Sequence, residues 1–280
     1  MYDSSAPSLQ HAVKCRQHNM GNESSKSNPS GVKKILNVGK SGPSSSVVNH
    51  HIENASKSRV LQLKGTGLKS FPGEIEQIAE ILRNLDFSDN KIQQIPIFIE
   101  KFVQLKQLHL ANNRIEVIPD EIGQLKKLET LNLSGNSVST LPDTIAGCTD
   151  LKTIDLSSNA FEVFPKALFG LMQINVVNLN GNKIQEIPEE IAELKAIELS
   201  LDRNRLHSIN ATKLVACPCL RTLRIEENCL QKSEFTKEFL ENSQISMITL
   251  NGNLFQEREF QDLNGYEAYQ ERFTATRRKM

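Results

Sequence analysis

One asparagine returns at a nearly constant step through most of this chain. It stands at Asn90, Asn113, Asn136, Asn159, Asn182, Asn204, Asn228 and Asn253, with steps of 23 residues that drift to 22, 24 and 25 near the end. Each copy sits in the same apolar frame, as in Leu108-His109-Leu110-Ala111-Asn112-Asn113-Arg114-Ile115 and Leu131-Asn132-Leu133-Ser134-Gly135-Asn136-Ser137-Val138. A period of this length implies a solenoid, in which each unit buries its apolar side only against its neighbours. The repeat therefore constrains the fold more tightly than composition or any single motif.

The physical reading assigns a side to each residue. In the leucine-x-leucine core of a unit, the two leucines point to one face of a short strand and the residue between them to the other. The leucines form the interior, and the middle residues line a solvent-facing parallel sheet. The chain must then turn inward, where an asparagine amide can both donate to and accept from turn backbone. Stacked in register, the asparagines are expected to form an internal polar ladder, because an unpaired buried amide is costly. After the turn come Phe71-Pro72, Ile95-Pro96, Ile118-Pro119, Leu141-Pro142, Phe164-Pro165 and Ile187-Pro188. Proline suits the first turn of a helix. The apolar residues three positions later (Ile75, Ile99, Ile122, Ile145, Leu168 and Ile191) predict short convex helices with one side on the core. Proline is lost from the frame after Pro188, which predicts a less regular convex side in the last three units.

The frame L-x-x-L-x-L-x-x-N-x-L resembles the leucine-rich repeat family. The cleanest copies begin at Leu82, Leu105, Leu128, Leu151 and Ile174, and weaker ones at Ala196, Leu220 and Ile245. A degenerate first copy carries Leu61, Leu63 and Leu68, with Thr66 in the asparagine position, making nine units. The resemblance implies an α/β solenoid with a curved parallel sheet inside and short helices or turns outside. The Leu-Pro-x-x-Ile form is similar to the intracellular, Ras-pathway-associated class. The local segments Met20-Gly21-Asn22, Arg224-Ile225-Glu226-Glu227-Asn228-Cys229-Leu230 and Glu271-Arg272-Phe273-Thr274-Ala275-Thr276 further resemble one group of the family, whose members begin Met-Gly-Asn.

Three regions follow: residues 1–53 as a disordered Ser/Lys-rich segment, 54–258 as the solenoid, and 259–280 as a capping helix with a basic tail. The cap is read from Leu263, Tyr266, Tyr269 and Phe273 at helical spacing, covering Ile248, Leu250 and Phe255, with Arg277-Arg278-Lys279 loose beyond it. Within the first region, Met20-Gly21-Asn22-Glu23-Ser24-Ser25 matches the N-myristoylation pattern. Gly21 becomes available only if translation begins at Met20, with residues 1–19 upstream of the true start. The same letters also fit a chance Met-Gly in a Ser-rich tail. One myristoyl chain gives marginal membrane affinity. Lys26, Lys33, Lys34 and Lys40 would add weak attraction to an anionic leaflet, although a solvated basic linker is the simpler account of so diffuse a cluster. Gly39-Lys40-Ser41 is not a phosphate loop, because Lys34 stands where the motif needs glycine and Pro43 interrupts the helix.

The partner-binding surface is expected on the concave face, at Asp86, His109, Asn132, Asp155, Asn178, Glu198, Asp202, Arg203, Arg224, Glu226 and Glu227. Its middle is polar and nearly uncharged, and its C-terminal third carries both signs. Such a surface suits a protein partner, although any solvent-facing sheet must be polar. No catalytic residue is assigned: His109 neighbours Asp86 and Asn132, but no serine or cysteine completes a nucleophile site. No metal or cofactor site is assigned either. Lys and Arg together equal Asp and Glu, 33 each, so bulk charge does not suggest nucleic acid. No apolar run approaches the about 20 residues of a membrane span. Five cysteines fit no zinc spacing and make no paired caps, favouring a reducing compartment. The expectation is a monomeric, cytoplasmic scaffold, peripheral on a membrane if acylated. The alternative is a regulatory subunit or adaptor for a protein phosphatase or small-GTPase pathway.

Overall fold

A computed structural model describes residues 42–278. Nine three-residue strands form one sheet in chain order. They are β1 (Val60–Gln62), β2 (Asn84–Asp86), β3 (Gln107–His109), β4 (Thr130–Asn132), β5 (Thr153–Asp155), β6 (Val176–Asn178), β7 (Glu198–Ser200), β8 (Thr222–Arg224) and β9 (Met247–Thr249). Every neighbouring pair is parallel, and the asparagine frame sets the register: Leu85 pairs with Leu108, Leu108 with Leu131 and Leu131 with Ile154. These central leucines and the next column (Phe87, Leu110, Leu133 and Leu156) are fully buried. The fold is the leucine-rich repeat solenoid that the frame implies.

The asparagine ladder is present and doubly tied. Asn136 Nδ2 donates to Leu133 O in its own unit and to Leu110 O in the preceding one, both at 2.9 Å. Its Oδ1 accepts from Ile115 N at 3.0 Å. Thr66 performs a reduced version, donating to Leu63 O at 2.8 Å, while Asn90 Oδ1 accepts from the N–H groups of Gly67 and Leu68. The residue before Thr66 and before each asparagine adopts the left-handed conformation throughout: Gly65, Asp89, Asn112, Gly135, Ser158, Gly181, Arg203, Glu227 and Gly252. This conformation reverses the chain sharply enough to bring the asparagine amide under the strand.

On the convex side the helices are 3₁₀ rather than α. They run Gly73–Ile81, Ile97–Lys101, Asp120–Gln124, Asp143–Gly147, Lys166–Gly170 and Glu189–Glu193, each directly after its proline. The proline carbonyl accepts from the N–H of the core residue three positions on, as in Ile99 N to Pro96 O at 3.0 Å. Three residues per turn bring Ile99, Ile122 and Ile145 back onto the core within a segment too short for a stable α-helix. Beyond Pro188 the convex side changes, to α2 (Ala211–Val215), a 3₁₀ turn at Lys232–Glu234 and α3 (Lys237–Asn242).

Both ends differ from the sequence expectation. A helix, α1 (Ser45–Ser58), crosses the expected boundary at residue 53. Its Val48, Ile52 and Ala55 fall on one face and are buried against the first unit, so the ordered domain begins upstream of residue 54. At the other end the single expected helix is two, α4 (Glu257–Gln261) and α5 (Tyr266–Arg277), broken where Gly265 takes φ 91. The break lets both helices turn rings inward: Phe260 and Tyr269 are buried with centroids 5.7 Å apart. Tyr269 Oη accepts from Ile248 N on β9 at 3.1 Å, closing one bond of the open sheet edge. Arg272 donates to the carbonyls of Leu240 and Glu241, satisfying the end of α3, and to that of Ile245 beyond it. Arg277, expected in a loose tail, ends α5 with its guanidinium 5.6 Å from the Phe273 ring centre.

Candidate protein-binding surface

Six of the expected concave residues, Asp86, His109, Asn132, Asp155, Asn178 and Arg224, share one column across the sheet. Strand register places Asp86 beside His109, His109 beside Asn132, Asn132 beside Asp155 and Asp155 beside Asn178, continuing through Ser200, Arg224 and Thr249. Glu198 stands at the opposite end of β7, and Asp202 and Glu226 follow β7 and β8.

Several of these polar groups already serve their own unit. Asp86 Oδ1 accepts from Ser88 N at 2.9 Å. Asn132 Oδ1 accepts from Ser134 N and Oγ, Asp155 Oδ1 likewise from Ser157, and Asn178 Oδ1 from Asn180 N. These bonds fix the exit from each strand and hold the side chains in place. Asp86 and Asp155 each keep a second carboxylate oxygen outside these bonds, and Asn132 and Asn178 keep their amide N–H groups, so the column offers both acceptors and donors to a partner.

In the C-terminal third the geometry separates residues that the sequence grouped together. Arg224 Nε pairs with Glu198 Oε1 at 2.8 Å across adjacent strands. Arg203 and Glu227 lie off the strands, in left-handed turn positions with φ 57 and 52, and pair with each other at 3.1 Å. Asp202 Oδ1 accepts from Glu226 N at 2.7 Å, and Asn180 Oδ1 accepts from Asp202 N at the same distance. Burial raises the Asp202 carboxyl above its ordinary value, ahead of the lowering effect of that N–H donor. Glu226 Oε1 accepts from Asn251 Nδ2 at 3.3 Å. Four carboxylates (Glu198, Asp202, Glu226 and Glu227) face two guanidiniums (Arg203 and Arg224), so the patch is acidic by two charges.

The sequence reading missed a feature at the end of this face. A cavity of about 340 Å³ opens where β9 meets the cap. Its residues belong to different elements, so no local spacing announces it; only the aromatic richness of residues 255–273 hints at it.

Gly21, Lys26, Lys33, Lys34 and Lys40 lie outside the described residues. Among the described residues, no group of His, Cys, Asp and Glu could hold a metal, and no helix is long and apolar enough to cross a membrane. Buried Cys148 and Cys217 have thiols pushed up to about 12 by desolvation, which removes thiolate chemistry at both.

Comparison with known proteins agrees with this geometry. The leucine-rich repeat family model matches residues 103–161. A leucine-rich repeat protein of Leptospira interrogans is similar at 32% identity and a TM-score of 0.63, over 69% of this chain and 48% of that one. This chain thus spans about half that protein's length. Internalin C2 of Listeria monocytogenes matches in fold at 19% identity and a TM-score of 0.58, over 72% and 91% of the two chains. The plant peptide hormone receptor RGFR1, solved in complex with RGF2, matches at 24% identity and a TM-score of 0.54, over 70% and 36%. Solenoids of this construction are built for protein–protein interaction, with the concave sheet as the extended binding surface.

Proposed function

We propose that this chain is a non-catalytic scaffold that binds a protein partner along its concave face and is tethered weakly to a membrane through myristoylated Gly21. The observation that carries the binding is the unbroken column from Asp86 to Arg224, in which Asp86, Asn132, Asp155 and Asn178 are held in place by their own turns yet keep a second polar atom outside those bonds. The tether rests on the Met20-Gly21 pattern and on resemblance to leucine-rich repeat-containing protein 57; it would place the protein in the cytoplasm, peripheral on a membrane. A second reading, regulatory subunit or adaptor of a phosphatase or small-GTPase pathway, draws on the Ile-Pro and Leu-Pro segments that precede four of the 3₁₀ turns.

The test is quantitative affinity capture of the full chain and of the variant His109→Glu with Arg224→Glu. A stoichiometric partner lost from the variant, which keeps its parent melting curve, supports the concave face. Retention there, with loss in Val117→Glu and Val163→Glu at two exposed positions outside the strands, would refute it. The partner's identity decides between the plain scaffold and the phosphatase or GTPase adaptor. Intact mass from eukaryotic cells tests the tether: a species beginning at Gly21 plus one myristoyl group supports it, and an unmodified Met1 chain removes it.

A further inference from the structure

The cavity at the end of the sheet is lined by Thr249 of β9, by Tyr266, Tyr269 and Phe273 of α5, and by the acidic residues Glu226 and Glu257. Three observations define what it would accept. First, Thr249 Oγ1 is buried without a hydrogen-bond partner. Native structures seldom leave such a hydroxyl unsatisfied, and a ligand N–H donated to it would recover the lost bond. Second, the aromatic wall attracts positive charge through its ring faces. Tyr266 and Tyr269 have ring centres 5.9 Å apart, Tyr269 and Phe273 6.1 Å. The wall already holds one guanidinium, that of Arg277 against Phe273. Third, two carboxylates at the cavity outnumber that one cation, and cavity and adjoining patch together set five carboxylates (Glu198, Asp202, Glu226, Glu227 and Glu257) against three guanidiniums (Arg203, Arg224 and Arg277).

We propose that this cavity receives an arginine or lysine side chain from a basic segment of the protein partner. This rests on the concave-face reading, since the segment would continue from the sheet onto the cap. An anionic group would meet Glu226 and Glu257, and a purely apolar one would leave Thr249 unpaired. A basic head has donors for the hydroxyl and the carboxylates, and its aliphatic stem suits the rings.

The chain has no tryptophan and only three tyrosines, two of which line the cavity, so tyrosine fluorescence and ring NMR signals report on it directly. The probes are acetyl-Gly-Gly-Xaa-Gly-Gly-amide peptides with Arg, Lys, Gln or Glu in the centre. Arg and Lys peptides are expected to shift the Tyr266 and Tyr269 signals saturably, with the Gln and Glu peptides at least about tenfold weaker. Glu226→Gln and Tyr266→Leu should each weaken the Arg peptide at least about threefold. Thr249→Val, which preserves shape, guards against loss of fold and should weaken it as well. Equal binding of the Gln and Arg peptides, or unchanged binding in all three variants, overturns the proposal. If a captured partner is lost with His109→Glu and Arg224→Glu but kept with Tyr266→Leu and Thr249→Val, the cavity assignment fails while the concave face stands. If the peptides bind as expected and no partner depends on the sheet, the opposite holds.

Discussion

Replacing Asn182 with alanine tests the ladder in the interior of the solenoid, where this side chain is only 7% exposed. Its Nδ2 donates to Leu156 O at 3.0 Å and Leu179 O at 2.9 Å, and its Oδ1 accepts from Phe161 N at 3.1 Å. The two carbonyls have second donors, Asn159 Nδ2 for Leu156 and Asn204 Nδ2 for Leu179. Their loss is therefore partial, about 0.5 kcal/mol each at the low end for a net hydrogen bond. Phe161 N has no such substitute and is buried, so orphaning it costs about 1–3 kcal/mol. The sum is about 2–4 kcal/mol, measurable by urea unfolding. Hydrogen exchange isolates the cause: the Phe161 amide should lose protection before its neighbours. Asn182→Asp keeps an acceptor for that amide but no donor for the carbonyls, so it should lose stability with Phe161 still protected. A loss below about 1 kcal/mol in the alanine variant, with Phe161 protected, would show that water replaces the amide and would refute the reasoning.

The other predictions concern the cap, the convex side and pH. Tyr269→Phe should cost about 1–3 kcal/mol, because Ile248 N loses its acceptor, and exchange should rise first at β9; parent-like protection at Ile248 would contradict this. Gly147→Ala should cost about 1–3 kcal/mol, since its Cβ would stand 2.3 Å from Gly123 O. Gly73→Ala meets nothing within 4 Å and should stay within about 0.5 kcal/mol, so equal thermal shifts for the two glycines would count against the packing argument. The raised pKa of Asp202 favours the fold only while the carboxyl is protonated, below its ordinary 3.8, and that contribution is lost as pH rises through the folded value. Asp202→Asn should therefore be more stable than the parent at pH 7, with the difference vanishing in acid; a pH-independent difference would exclude this cause.

The strand columns, the asparagine ladder and the proline-led convex turns were legible because each rests on a residue type repeated at one position. The left-handed column was harder to see. Its members share tolerance of one backbone conformation rather than an identity, although Gly65, Asp89, Asn112, Gly135, Ser158, Gly181 and Gly252 are all turn formers. Arg203 and Glu227 break even that pattern, so residue type does not separate them from the charged residues beside them. Helix α1 was obscured because three small or apolar contacts, Val48, Ile52 and Ala55, sit among serines, asparagines and histidines. Its formation depends on an exposed first unit to pack against, which composition cannot reveal. The break in the cap did carry a local signal, Asn264-Gly265, overridden in the reading by the helical spacing of the rings. The cavity beside it depends on contacts between elements and had no local signature.

The shared carbonyls of the ladder have a consequence for how such a chain can change over generations. Leu110 O, Leu133 O, Leu156 O and Leu179 O each receive one amide from their own unit and one from the next. At the ladder, each of these four joints is chemically the same joint. A duplication or excision of one whole 23-residue period in the middle of the gene would reseal with every donor and acceptor matched, whereas a frame-preserving loss of a few residues would not. Array length is thus open to recombination, while the terminal helices, which fit only one kind of end, are not interchangeable with anything inside.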